Sequence, residues 1–420
     1  MKKVFLVGLF LSLLPQLFAQ EFIKESDCAK HDTSIVREYK NGQWLVCQGY
    51  KQYTYWRFML VTETGTSGSV LTLFDYEMKI NDMEINGDIV YFCGEMKDTG
   101  NSRAMLGYFD MSGFPFSTVH ACFLNDLSSF EKMEVFFLRP SYTHIAMTGI
   151  KPGGSYCMVD AMGNGTNSFD FIVVDTLGDI KKLDDVARTD NYVVYSAHDE
   201  HYYGCLLFHN ILPSGTFLTT SLIRESIGTS VSSEILLEHC GLDTLAYVTF
   251  PSQNHFMESL LNGTTLLYSS IHNIPQSDFS LLDVKYDLMK GFLNVLFYEY
   301  TANNSVIVDF SHSPLANRAY GRRYINQPLY SLDYLKNQPG QCVASGQRED
   351  RGPLRLYRYI TGQYEGCAVP YMTDKTLITL FPVSEYMEIN PWMKQIQATV
   401  LDSDVREELI STICEIKETE

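Results

Sequence analysis

Seven phrases of one kind run through this chain. In each, an apolar strand-like run ends in a small or turn residue, a polar loop follows, and a second apolar run begins. They are Trp44–Tyr50, Ile89–Glu95, His144–Ile150, Tyr192–His198, Leu245–Pro251, Phe292–Tyr298 and Gln341–Gln347. Successive copies lie about 45 to 55 residues apart, the spacing of a propeller blade. A single blade cannot bury both faces of its sheet, so a repeat at this period predicts one closed domain. Turn signals such as Ser112-Gly113, Pro152-Gly153-Gly154, Gly163-Asn164-Gly165 and Pro213-Ser214-Gly215 divide the repeats into short strands. The 27 Tyr and 25 Phe suit the pleated surface of strands. The expected fold is an all-β propeller with seven four-stranded blades, six or eight being the alternatives.

The two ends read differently. Lys2-Lys3, the apolar stretch Val4–Leu14 and Leu17-Phe18-Ala19 predict a secretory signal peptide over residues 1–19. No later apolar run approaches the ~20 residues of a membrane span. The mature chain, residues 20–420, is therefore expected to be an exported single domain in the periplasm, at the cell surface or outside the cell. Residues 372–420 remain after the seventh phrase. They complete the closing blade, build an eighth, or form a C-terminal extension. Asp404 and Glu407 followed by Leu409, Ile410 and Ile413 also fit a short capped helix. All ten Cys lie in the mature part without metal-type spacing. Export permits disulfides, and Cys28 with Cys414 is the candidate pair, because chain ends meet where a propeller closes.

The phrase Ile80-Asn81-Asp82-Met83, continued by Asp88-Ile-Val-Tyr-Phe-Cys-Gly94 and ended by Gly107-Tyr-Phe-Asp110, resembles a repeat of secreted propeller-like proteins of Bacteroidetes bacteria. The leader ending Phe18-Ala19-Gln20 is similar to theirs. The resemblance implies a fold and a compartment, and no activity.

Three constellations could carry chemistry. The first is an Asp repeated at the entrance to the inner strand: Asp82, Asp185, Asp283 and Asp333. A ring of carboxylates near the channel could hold a hard cation such as Ca²⁺ through oxygen ligands. The structural alternative is that each Asp accepts backbone N–H bonds in its turn. The second is His198-Asp199-Glu200-His201, where His198 and His201 could ligate a transition metal or form a solvated turn. The third is a basic stretch in a chain of net charge −18. Arg322, Arg323, Arg348, Arg351, Arg355 and Arg358, with Tyr357, could present a surface to an anionic glycan or acidic partner. Their alternative is pairing with acidic neighbours on adjacent blades.

Catalytic signatures are missing. There is no nucleophile elbow, phosphate-binding glycine loop or dinucleotide fingerprint. No catalytic residue is predicted, and the acidic balance argues against nucleic acid. The expected role is non-catalytic binding of a protein or glycan, by a monomer, through a propeller face or channel mouth. A propeller-fold hydrolase acting on glycans or peptides, and a structural envelope component, are the alternatives.

Overall fold

The computed structural model describes residues 21–26, 33–40 and 42–416 apart from loop segments 50–55, 63–66, 74–76, 99, 116, 140–141, 164–167, 177–178, 211–220, 275–277, 289, 312–315, 317, 335–339, 348–353, 362–367, 381–382, 390 and 402. The expected signal peptide and Cys28 lie outside them.

The described residues form a β-propeller. After β1 (Glu21–Ser26), the first blade is β2 (Thr33–Lys40), β3 (Gln43–Gly49), β4 (Trp56–Thr62) and β5 (Ser67–Leu73). The second is β6 (Glu77–Asn86), β7 (Ile89–Asp98), β8 (Asn101–Asp110) and β9 (Val119–Leu124). The third is β10 (Ser129–Arg139), β11 (Tyr142–Ile150), β12 (Tyr156–Gly163) and β13 (Ser168–Asp175). The fourth is β14 (Ile180–Arg188), β15 (Tyr192–Asp199), β16 (Tyr203–Asn210) and β17 (Ser221–Ser230). The fifth is β18 (Leu236–His239), β19 (Thr244–Ser252), β20 (His255–Asn262) and β21 (Thr265–Asn273). The sixth is β22 (Phe279–Asp287), β23 (Phe292–Glu299), β24 (Asn304–Ser311) and β25 (Arg318–Tyr324). The last is β26 (Leu329–Tyr334), β27 (Gln341–Gln347) and β28 (Leu354–Ile360), completed by β1, which pairs antiparallel with β28. The inner strands β2, β6, β10, β14, β18, β22 and β26 touch one another in turn, and β26 returns to β2.

Both faces of each sheet are covered, so the central strands read as continuous apolar runs rather than alternating ones. β27 and β28 are buried at every position. The apolar side chains gather into seven clusters, each between two adjacent blades. The seam between first and last blades, for example, holds Val36, Trp44, Val46 and Met59 against Val343, Leu354 and Leu356. Burial of this kind is worth roughly 25 cal/mol per Å² of apolar surface, which makes the seams the main source of cohesion.

The small residue that ends the repeated phrase has a backbone cause. Inner strands β6 and β26 bulge where they meet their second strands, between Ile80 and Asp82 and between Leu329 and Ser331. A Cβ on Gly94, opposite Ile80, would sit 1.9 Å from the Lys79 carbonyl oxygen. One on Gly346, opposite Leu329, would sit 2.2 Å from that of Pro328. Only glycine tolerates so close an approach of two backbones.

The residues after the last blade form a belt. β29 (Val369–Ile378) inserts between the outer edges of β21 and β25, joining the fifth and sixth blades into one sheet. β30 (Ser384–Glu388) adds to β17, β31 (Trp392–Gln397) to β13, and β32 (Thr399–Leu401) to β9. β33 (Ser403–Ile416) pairs with β5 and with β1, joining the first and last blades. The belt circles the ring against the order of the blades. It is neither an eighth blade nor confined to the closing one, and the stretch around Asp404 and Glu407 is strand, not helix. Cys414 stands opposite Ile23 in this pairing. Exposure alternates along β31, as expected for a strand with one face in water.

One belt side chain reaches deep into the ring. The side chain of Lys375 of β29 is 2% exposed, and its Nζ lies 2.6 Å from Glu258 Oε1 on β20. The same ammonium donates to the Ser311 carbonyl at 3.1 Å, so it ties the belt to two blades. Ser270 Oγ donates to Glu258 at 2.9 Å, and His272 Nε2 lies 3.5 Å from it.

Candidate functional site

The inner strands enclose a cavity of about 570 Å³ on the propeller axis. Its lining follows from the bulges. In five inner strands the residue just past a bulge is Asp82, Lys132, Asp185, Asp283 or Ser331. Successive strand residues alternate faces, so the residue two positions on projects to the same side. Those residues are Glu84, Glu134, Ala187, Lys285 and Asp333, with Glu238 at the matching place in β18 and Arg37 in β2. All of these except Asp333 line the cavity.

The repeated Asp is an inter-blade tie. Asp82, Asp185 and Asp283 each use Oδ1 to accept the next residue's N–H, from Met83 at 2.8 Å and from Val186 and Val284 at 2.9 Å. Their Oδ2 atoms accept an N–H from a following blade: Met133 at 3.1 Å, Leu237 at 2.9 Å and Leu332 at 2.8 Å. Asp333 accepts from Glu38 at 2.5 Å, across the seam where the ring closes. These carboxylates are therefore engaged with backbone amides. No group of three or more His, Cys, Asp or Glu that could hold a metal ion occurs among the described residues. The cation reading of Asp82, Asp185, Asp283 and Asp333 gives way to the structural one.

The other constellations also resolve. His198 Nδ1 turns inward to Asp184 at 3.1 Å, whereas His201 is exposed and 3.7 Å from Glu200. The two imidazoles face different surroundings and do not form a shared metal site. The Arg/Tyr surface is not a surface. Arg322, Arg355, Tyr357 and Arg358 are buried. The Arg322 guanidinium lies over the Tyr359 ring at 4.7 Å and donates to the Ile360 carbonyl. Arg358 donates to Gln341, and the Tyr357 ring meets Tyr324 edge-on at 5.2 Å. Arg323, half-buried, sits over the Tyr371 ring at 5.1 Å. Alternation exposes one face of a strand only where that face meets water, and β28 is covered by neighbouring blades and edged by β1. Arg348 and Arg351 lie outside the described residues.

Charge in the cavity is mixed and largely paired. Arg37 donates to Glu84 at 2.9 Å and to Asp82 at 3.2 Å. Glu238 accepts the Tyr286 N–H at 3.1 Å and faces Lys285 at 3.6 Å. Desolvation, reinforced by the Glu84 carboxylate, pushes the Glu134 carboxyl up to about 8. Desolvation also raises Glu238 to about 7, against the pull of Lys285, and Asp185 to about 6, against Lys132. Burial works against the Lys132 ammonium, but Asp185, Asp82 and Asp283 outweigh it and hold its pKa above the usual lysine range. Carboxyls that titrate near neutrality inside a cavity are what a proton-sensitive binding site or an acid–base catalyst requires.

Sequence reasoning found Asp82, Asp185 and Asp283 of the first ring and Asp333 of the second, and missed the rest of the second ring. Its signal was present at Glu84 and Lys285, each two places past a repeated Asp and flanked by apolar neighbours. The residue type changes from blade to blade there, so no repeated letter marks it.

No helix among the described residues is long and apolar enough to cross a membrane. No family model and no curated protein matches the chain. Solved structures resemble the chain only at low similarity. A prolyl endopeptidase is 10% identical with a TM-score of 0.48; the match covers 80% of this chain and 47% of that one. A polysaccharide lyase of family PL25, an ulvan lyase, is 12% identical with a TM-score of 0.42, covering 84% of this chain and 97% of that one. An uncharacterised protein of Listeria monocytogenes is 10% identical with a TM-score of 0.42, covering 80% of this chain and 95% of that one.

Proposed function

We propose that this is an exported, non-catalytic binding protein that takes part of a protein or a glycan into its axial cavity. The observation that carries the proposal is the cavity itself, about 570 Å³ and lined by charged side chains of several blades. That volume falls within the roughly 300–1,000 Å³ of ligand pockets. Export rests on the leader over residues 1–19. The fold alone warrants no activity.

The test is calorimetric titration with oligosaccharide and peptide panels, on wild type and Asn86→Trp. Asn86 ends β6 at the cavity wall, and an indole there would intrude on the space. Binding is expected in wild type and lost in the variant, with the melting temperature kept. Binding that survives the substitution would place the ligand elsewhere.

A hydrolase is the second reading, favoured by one observation. Glu134, raised to about 8, faces the Glu84 and Glu238 side chains in one cavity. A carboxyl held protonated beside other carboxyl groups is what general-acid cleavage of a glycoside draws on. This reading expects products to accumulate with the bound panel members, and none with Glu134→Gln. Binding without products under wild-type conditions would remove it.

A further inference from the structure

The cavity's uncommitted polar groups are concentrated on one wall. Asp82, Asp185 and Asp283 accept backbone amides, Arg37 holds Glu84, and Glu238 holds Tyr286 and Lys285. Among the described residues, the Lys132 ammonium and the Glu134 carboxyl have no hydrogen-bond or ion-pair partner. Lys132, Glu134 and Phe136 are alternate residues of β10, and all three line the cavity. The guanidinium of Arg188, from the next inner strand, lies over the Phe136 ring at 4.9 Å. An ammonium, a carboxyl and a ring-backed guanidinium thus stand in sequence along the wall.

We propose that the ligand carries a carboxylate, held against this wall by Lys132, Glu134 and Arg188. The inference rests on the cavity being the binding site. Two cations favour an anion, and the planar guanidinium fork matches a carboxylate's two oxygens. The remaining group must not repel that anion. Glu134 faces Glu84 from β6, Arg188 from β14, Glu238 from β18 and Lys285 from β22, while Asp82 and Asp185 stand beside Lys132. With its carboxyl raised to about 8, Glu134 is mostly protonated at pH 7 and donates a hydrogen bond. Affinity should therefore fall as pH rises through that value. A sugar acid and a peptide C-terminus offer the same carboxylate.

The full chain is titrated calorimetrically with glucuronate, glucuronamide, and a tripeptide with a free or amidated C-terminus. At pH 6 one acid is expected to bind at least roughly tenfold tighter than its amide, and which acid does so identifies the source. Lys132→Met and Arg188→Leu should each weaken that acid by roughly tenfold or more. Glu134→Gln should lose the decline in affinity between pH 7 and 9, because an amide does not titrate there. Amides that bind as well as acids would overturn the inference while leaving cavity binding intact. Acids whose binding is untouched by Asn86→Trp would overturn the cavity reading itself. Absence of heat with both acids, or a Glu134→Gln profile like wild type, would also overturn the inference.

Discussion

Lys375→Ala is expected to destabilise the protein by about 3–5 kcal/mol, the cost of removing one partner from a buried ion pair. Its Nζ is 2.6 Å from Glu258 Oε1, and both side chains are 2% exposed. Truncation leaves a buried carboxylate served, among the described residues, by Ser270 and His272. Lys375→Met combined with Glu258→Gln should recover much of the loss, since it removes both charges and keeps the Ser270 contact. The pair also sets a response to acid. Burial alone would raise Glu258, but the His272 hydrogen bond and the Lys375 ammonium hold it down, at about 2. A carboxyl whose pKa is depressed by folding contributes stability that is complete above its unfolded value near 4.5 and lost as pH falls towards 2. Acid unfolding of Lys375→Ala should therefore begin at higher pH than that of wild type. Urea titrations between pH 2 and 7 measure both effects. A variant that unfolds at the wild-type midpoint throughout would show that the belt is not anchored there.

The second large effect is expected at Asp283. Asp283→Ala removes the acceptor for Val284 N–H at 2.9 Å, Leu332 N–H at 2.8 Å and Ser331 Oγ at 2.9 Å. An unsatisfied buried donor costs about 1–3 kcal/mol, so a total near ~3 kcal/mol is expected. The loss falls between the sixth and last blades. Asp283→Asn should cost less, because one oxygen remains. Calcium and chelator should leave the melting temperatures of wild type and variant unchanged. A calcium-dependent rise in wild type that the variant lacks would restore the cation role of this carboxylate.

Much of the fold was legible because blades repeat apolar runs, and a repeat needs no knowledge of partners. The Asp before the inner strand was legible for the same reason, and its backbone-accepting role follows from the bulge it occupies. The second ring, Asp333 apart, was not, because Arg37, Glu84, Glu134, Ala187, Glu238, Lys285 and Asp333 share a position and no chemistry. Arg355 and Arg358 misled because both faces of β28 are buried, so parity carries no information about water. The belt escaped for a further reason. The partners of β29 to β33 lie far back in the chain, as with Val405 opposite Leu71. Local pattern cannot name such a partner.

The belt also bears on when this chain can become native. β33 pairs with β5 and β1, so strands from the two ends of the described chain meet in one sheet. Contacts of such sequence separation form slowly, since chain closure must be met before they contribute. The ring cannot be sealed until the final strand has been synthesised. Until then the outer edges of several blades stand open as templates for wrong pairing. Such a chain is best suited to a maturation in which folding follows complete synthesis. Once closed, it has no blade that can leave without unthreading its neighbours, and slow opening rather than equilibrium stability should govern its lifetime.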